Sequence, residues 1–149
     1  MSKVKVLNPI DQTHIFGFVP ALTLTSQHSG VITTLQAPIH LVVGKHIGPH
    51  SGFGVEHIWA EHQNEIIADG FAHKGLVPDY VQRILTMPGL IYFEDRKLPR
   101  SRVNTVRIAT GTVILEYVRT IIDKEEMPHW NVITAYSNTR TAGVVVGQI

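Results

Sequence analysis

Polar and apolar residues alternate through KVKVL at positions 3–7, the period-two signature of a strand. Two β-rich runs follow, IFGFVPALTLT at 15–25 and GVITTL at 30–35, joined by the turn-forming SQHSG. APIHLVVG at 37–44 is a compact apolar strand that Gly44 ends. The first 44 residues therefore read as sheet. The loop KHIGPHSGFG comes next, with three glycines, a proline and two histidines. From Val55 to about Asp69 the period changes to that of a helix. Val55, Ile58, Trp59, His62 and Ile66 fall at i, i+3, i+4, i+7 and i+11, so Trp59 and Ile66 are expected to be buried. Gly70 closes this helix. A second runs from about Asp79 to Thr86, started by Pro78 and Asp79 and stopped by MPG.

Strands return after the helices. LIYFE is one; RVNTVRIA and TVILEYVRTII form a hairpin around ATGT; WNVITAYS is reached through DKEEMPH; and AGVVVGQI adds a short last strand. The order implies an α+β fold: an antiparallel β-sheet with two main helices packed on one face, plus an N-terminal β-rich extension. The 149 residues suit a single domain, with a β-rich part at 1–44, a core at 45–137 and a strand or tail at 138–149.

Composition narrows the function classes. Cysteine is absent, which removes disulfides, thiolate nucleophiles and Cys-ligated zinc. The net charge of +1 gives no uniformly basic surface. MSKVKVLNPI lacks a signal-peptide core and no run reaches the length of a membrane span, so a soluble, cytoplasmic protein is expected.

Three places carry candidate chemistry. His57 and His62 stand five apart, about 140° around a helix, whereas paired metal ligands prefer spacings of three or four. His46 and His50 stand four apart, but Gly48 and Pro49 between them break any helix. No bound metal or other cofactor is therefore expected, the competing reading being zinc assembled from loop and helix. His62, on the apolar stripe, reads by itself as a buried histidine. His57 lies on another face near the helix start, exposed, where the glycine turn would let an anion approach the backbone amides. The second place is EDRKLPRSRVNTVR, whose Arg96, Lys97, Arg100, Arg102 and Arg107 make the one concentrated basic stretch. Such runs are commonly solvated loops, but Arg107 sits inside a strand, where a guanidinium is aimed at a phosphate by a rigid element. The third is WNVITAYS. Strict alternation puts Trp130, Val132, Thr134 and Tyr136 on one face and Asn131, Ile133 and Ala135 on the other. That offers two hydroxyls on one surface, or simply a cross-strand packing pair.

In their order, GFGVEHIWAEH, YVQRILTMPGLIYFE, VRIATGTVILEY and WNVITAYS resemble the barnase/EndoU/colicin/RelE-like ribonuclease superfamily, in its phage-associated and polymorphic-toxin branch. The resemblance runs roughly from Val43 to Ser137. It rests on an H-I-x-x-x-H helix, a helix ending before a proline and a strand, paired strands, and a closing V-x-T-A-[YF] strand. It implies a small metal-free endoribonuclease cleaving RNA, tRNA among the candidate substrates, to a 2′,3′-cyclic phosphate. Its catalytic set would be His57, His62, Arg107, Thr134 and Tyr136, with His57 the leading acid or base. His46, His50, Arg96, Lys97, Arg100 and Arg102 would contact RNA. Partners would be the RNA substrate and an immunity or inhibitor protein, and the protein would act in the cytoplasm, its own or a target cell's. The competing class is an inactive, phage-encoded module that binds RNA or protein without cutting.

Overall fold

The computed structural model of the protein describes residues 14–27, 30–49, 51–86, 88–95, 102–107, 110–139 and 143–149, and at 102, 104–107, 120–122 and 126 the backbone alone. The strand expected at 3–7 lies outside the described residues, as do His50, Arg96, Lys97 and Arg100.

The fold is α+β. Its elements, in chain order, are β1 (Phe18–Val19), β2 (Leu22–Ser26), β3 (Gly30–Thr34), β4 (Ala37–His40), β5 (Lys45–Gly48), β6 (Ser51–Phe53), α1 (Gly54–Ala68), α2 (Val77–Thr86), β7 (Leu90–Phe93), β8 (Arg102–Arg107), β9 (Gly111–Ile122), β10 (Glu125–Tyr136) and β11 (Val144–Gln148). Seven strands form one sheet in the order β1-β4-β10-β9-β8-β7-β11. All its pairings are antiparallel except β4 with β10. The β-rich first part thus contributes β1 and β4 to the main sheet, while β2 and β3 form a separate hairpin.

Three details depart from the sequence pattern, and each shapes the site. First, the glycine loop is itself a hairpin, β5 with β6, folded onto the start of α1. Gly44 makes this possible: its φ of +66° is open to glycine, and a Cβ there would collide with the Phe53 carbonyl. Second, β10 begins within DKEEMPH rather than at Trp130. Asp123 and Lys124, at φ 51° and 70°, make a two-residue turn of the kind that matches strand twist, so β9 and β10 form one long hairpin. Third, β10 carries a bulge. Val132 pairs with Leu115 and Thr134 with Ile114, which leaves Ile133 unmatched.

The bulge reverses the alternation. Trp130 and Val132 face the core before it and Ala135 after it, all fully buried. Thr134 and Tyr136 therefore leave the face of Trp130 and Val132 and share the other one with Asn131 and His129. The expected partition of WNVITAYS holds only up to Val132.

A single apolar cluster unites the layers. The sheet supplies Ile39, Ile91, Val113, Leu115 and Trp130, α1 supplies Ile58 and Ile66, α2 supplies Val77, Tyr80, Val81 and Ile84, and the β2–β3 hairpin supplies Leu22 and Leu24. Ile66 is buried as expected, whereas Trp59 is half-buried against the cluster's edge. Among the described residues no helix is long and apolar enough to cross a membrane.

Candidate active site

Beyond the end of β4, helix α1 packs beside the second half of β10. Its entry explains how the histidines are sorted. No side chain caps the helix at Phe53. Instead the amides of Val55 and Glu56 donate to the carbonyls of Val42 and Val43, each at 2.9 Å. Those amides are the anion-binding groups expected at the glycine turn, and they are already used. That expectation is corrected: the chain leading out of β4 takes the place an anion would occupy.

The exposures of the two helix histidines are also the reverse of expectation. His57 is 5% exposed, because the β5–β6 hairpin lies over it. Its ring stacks on that of His46, with centroids 5.2 Å apart and the two Nδ1 atoms at 3.0 Å. One Nδ1 must donate and the other accept, so the pair ties the hairpin to the helix only while at least one ring is neutral. His62 is half-buried, not buried. The helix breaks its φ/ψ there, at −130° and 18°, and the ring turns toward β10, its centroid 5.2 Å from that of Tyr136.

Around the end of β10 a polar cluster closes that sequence reading did not anticipate. Glu65 accepts the backbone amide of Ser137 at 2.7 Å through Oε1, and the same oxygen lies 3.7 Å from His62 Nδ1. The Ser137 hydroxyl donates to Asp69 Oδ2 at 2.6 Å. Tyr80, wholly buried on α2, has its hydroxyl 2.7 Å from the same Ser137 oxygen. Burial pushes the Tyr80 phenol up to about 12, with Glu65 and Asp69 adding to the effect and the Ser137 hydrogen bond opposing it. The phenol thus stays protonated, and since serine's one proton goes to Asp69, Tyr80 is the donor to Ser137. Arg83 stands 3.8 Å from Asp69 and over the ring of Phe71.

This chain of bonds clamps β10 to both helices, which leads to a stability prediction. Ser137→Ala removes the link and leaves the buried Tyr80 hydroxyl unpaired, a loss of about 1–3 kcal/mol. Urea unfolding of the variant checks it, with Tyr80→Phe/Ser137→Ala costing less than the sum of the two single changes.

The other expected residues fall as follows. Thr134 and Tyr136 share a face, as expected, and the Thr134 Oγ1 is buried with no hydrogen-bond partner among the described residues. Arg107 ends β8 opposite Gly111. Gly111, at φ +145°, lies against the Tyr136 carbonyl, which a Cβ would strike. The backbone so brings Arg107 to the same end of the sheet as Tyr136. Arg102 stands at the other end of β8, opposite Glu116. His46 is exposed on β5. Among the described residues, no three His, Asp or Glu side chains are grouped to hold a metal ion. A stripe at i, i+3 and i+7 on α1, namely His62, Glu65 and Asp69, is the sequence signal that marks the cluster.

The same sheet face carries a second histidine pair. His40 and His129 meet edge to face at 5.1 Å. Burial lowers both, and the neighbouring His40 adds to the effect on His129, which is pushed down to about 4. The unfolded chain binds these protons near 6.5, so it holds more protons than the folded one at acidic pH. Stability contributed by the neutral pair is complete above about 6.5 and drains away as the pH falls toward 4. Chemical unfolding between pH 7.5 and 4.5 is expected to show this decline, and to show a shallower one in His129→Gln.

Compared with known families, curated proteins and solved structures, the chain matches none.

Proposed function

We propose that the protein is a metal-independent endoribonuclease, toxin-like or phage-encoded, working in the cytoplasm of its own or a target cell. The observation that carries this reading is the meeting of His62 with Tyr136 beside a Thr134 hydroxyl that has no hydrogen-bond partner among the described residues, at the end of β10. A histidine titrates near neutral pH and can move protons there. A half-buried ring at a break in a helix is reachable by substrate, whereas the buried His57 is tied to His46. The acid–base role therefore passes from His57 to His62, and His57 becomes a residue that holds the β5–β6 hairpin on α1.

In this reading His62 takes the proton of a ribose 2′-hydroxyl, and the 2′-oxygen attacks the adjacent phosphorus. Negative charge builds on the non-bridging oxygens, where the Thr134 hydroxyl and a guanidinium, Arg83 or Arg107, stabilise it. The bond to the 5′-oxygen breaks, and Tyr136 supplies the proton this oxygen needs. The imidazolium of His62 then returns a proton to the tyrosinate, leaving a 2′,3′-cyclic phosphate and a free 5′-hydroxyl. Such chemistry rests on positioning and proton transfer. The basic stretch from Arg96 to Arg102, together with His46 and His50, would hold the rest of the RNA, and an inhibitor protein would be expected to cover the same face.

The test is incubation of the purified protein with total RNA in EDTA. Discrete fragments ending in cyclic phosphate support the proposal. RNA left whole, with any co-purified inhibitor removed, favours instead a module that binds RNA or protein without cutting.

A further inference from the structure

We infer that Glu65 is a positioning residue that sets the tautomer of His62, holding the proton on Nδ1 and presenting Nε2 to substrate. The inference deepens the ribonuclease reading and, for its activity arm only, rests on it.

The case starts from which atom faces which. Glu65 Oε1 is fixed, because it accepts the Ser137 amide at 2.7 Å. The nitrogen of His62 nearest that oxygen is Nδ1, at 3.7 Å. This is longer than a formed hydrogen bond, yet close enough for charge to choose between the two neutral tautomers. With the proton on Nδ1, a positive N–H faces a carboxylate oxygen. With the proton on Nε2, a lone pair faces it instead, which is repulsive. A carboxylate beside one imidazole nitrogen thus frees the other as a base, the same division of labour by which a buried acid orients a catalytic histidine.

The surroundings keep Glu65 in place. His62 and Glu65 stand one helical turn apart. Asp69, a turn further on, is engaged by the Ser137 hydroxyl and by Arg83, so the end of β10 is pinned at Ser137 by two successive turns of one helix face. Tyr136 on β10 faces the ring as well, and Tyr80 lies behind Ser137. Glu65 reaches both His62 and the residue that follows the strand carrying Thr134 and Tyr136. It thereby fixes the base relative to the hydroxyls it must work with.

The experiment is nitrogen-15 NMR of the histidine side chains in the 149-residue protein at alkaline pH, where imidazole rings are neutral, for wild type, Glu65→Ala and Glu65→Gln. Wild type is expected to show His62 protonated on Nδ1. Glu65→Ala is expected to move the proton to Nε2, and Glu65→Gln, which keeps an acceptor for Ser137 and so preserves the fold, is expected to give a mixture. In cleavage assays Glu65→Ala should lower kcat by roughly 10²-fold, less than the ~10⁴ typical when a fully buried carboxylate sets the tautomer. Affinity for a 2′-deoxy, uncleavable oligonucleotide should stay within about twofold. An unchanged His62 tautomer in both folded variants would overturn the inference. A tautomer shift in a protein that cuts no RNA would uphold it and sink the ribonuclease reading alone.

Discussion

His62→Ala is expected to lower RNA cleavage by about 10²–10⁴-fold, the range in which a positioned general acid or base contributes. Little else should change. The ring is half-buried at a point where the helix has already departed from regular φ/ψ, and it fills no core position. Circular dichroism and melting of the variant should stay near wild type. His57→Ala is the control, with the opposite signature. It removes a buried ring and the 3.0 Å bond to His46, so it should loosen the β5–β6 hairpin and lower stability. Activity per folded molecule should fall far less than in His62→Ala. A catalytic loss confined to the His57 variant would return the acid–base role to that residue and contradict the assignment.

The second large effect lies in the core. Trp130 is fully buried on β10, in register with Tyr117, whose ring is 4.9 Å away. It pairs also with Ile39 across the parallel contact to β4, so it joins the first part of the chain to the central hairpin. Trp130→Ala is expected to cost about 3–5 kcal/mol, the usual range for emptying a large aromatic site. Against a typical total of about 5–15 kcal/mol, that is enough to leave a substantial unfolded fraction at moderate temperature. Trp130→Phe should cost much less than its lost volume alone implies. The indole N–H is buried with no partner among the described residues, and phenylalanine removes that unpaired donor. Urea unfolding of the three proteins gives the ranking: wild type most stable, phenylalanine close behind, alanine far below.

What the sequence made legible follows from which signals are local. The helix over 55–69, its stop at Gly70, the second helix and the later strands are written in periodicity and turn residues, and α1, α2 and β7 to β11 stand close to those positions. The pairing of Thr134 with Tyr136 also survives, since residues two apart stay on one side wherever a strand is regular. The face they occupy was not readable. A bulge at Ile133 depends on how β10 meets β9, and nothing in WNVITAYS announces it. The exchange of His57 and His62 has a similar cause. Helical periodicity gives the angle between two side chains, but burial depends on what covers each, and the hairpin of β5 and β6 covers His57. The Ser137 clamp joins α1, α2 and β10 across nearly 60 to more than 70 positions of chain, a reach no local pattern carries. Only its helical part, the stripe of His62, Glu65 and Asp69, could have been picked out.

Cleavage by attack of a neighbouring hydroxyl has one chemical requirement that no contaminant or binding artefact reproduces selectively in a His62-dependent way. A synthetic RNA carrying the preferred cleavage site, and its twin with a single 2′-deoxy sugar just 5′ of that bond, are incubated in EDTA with wild type and with His62→Ala. The proposed mechanism predicts that wild type cuts the first to a 2′,3′-cyclic phosphate and leaves the second whole at that bond, while His62→Ala leaves both nearly intact. Cutting of the deoxy twin at the same bond, or equal cutting of the ribose substrate by wild type and His62→Ala, would contradict it.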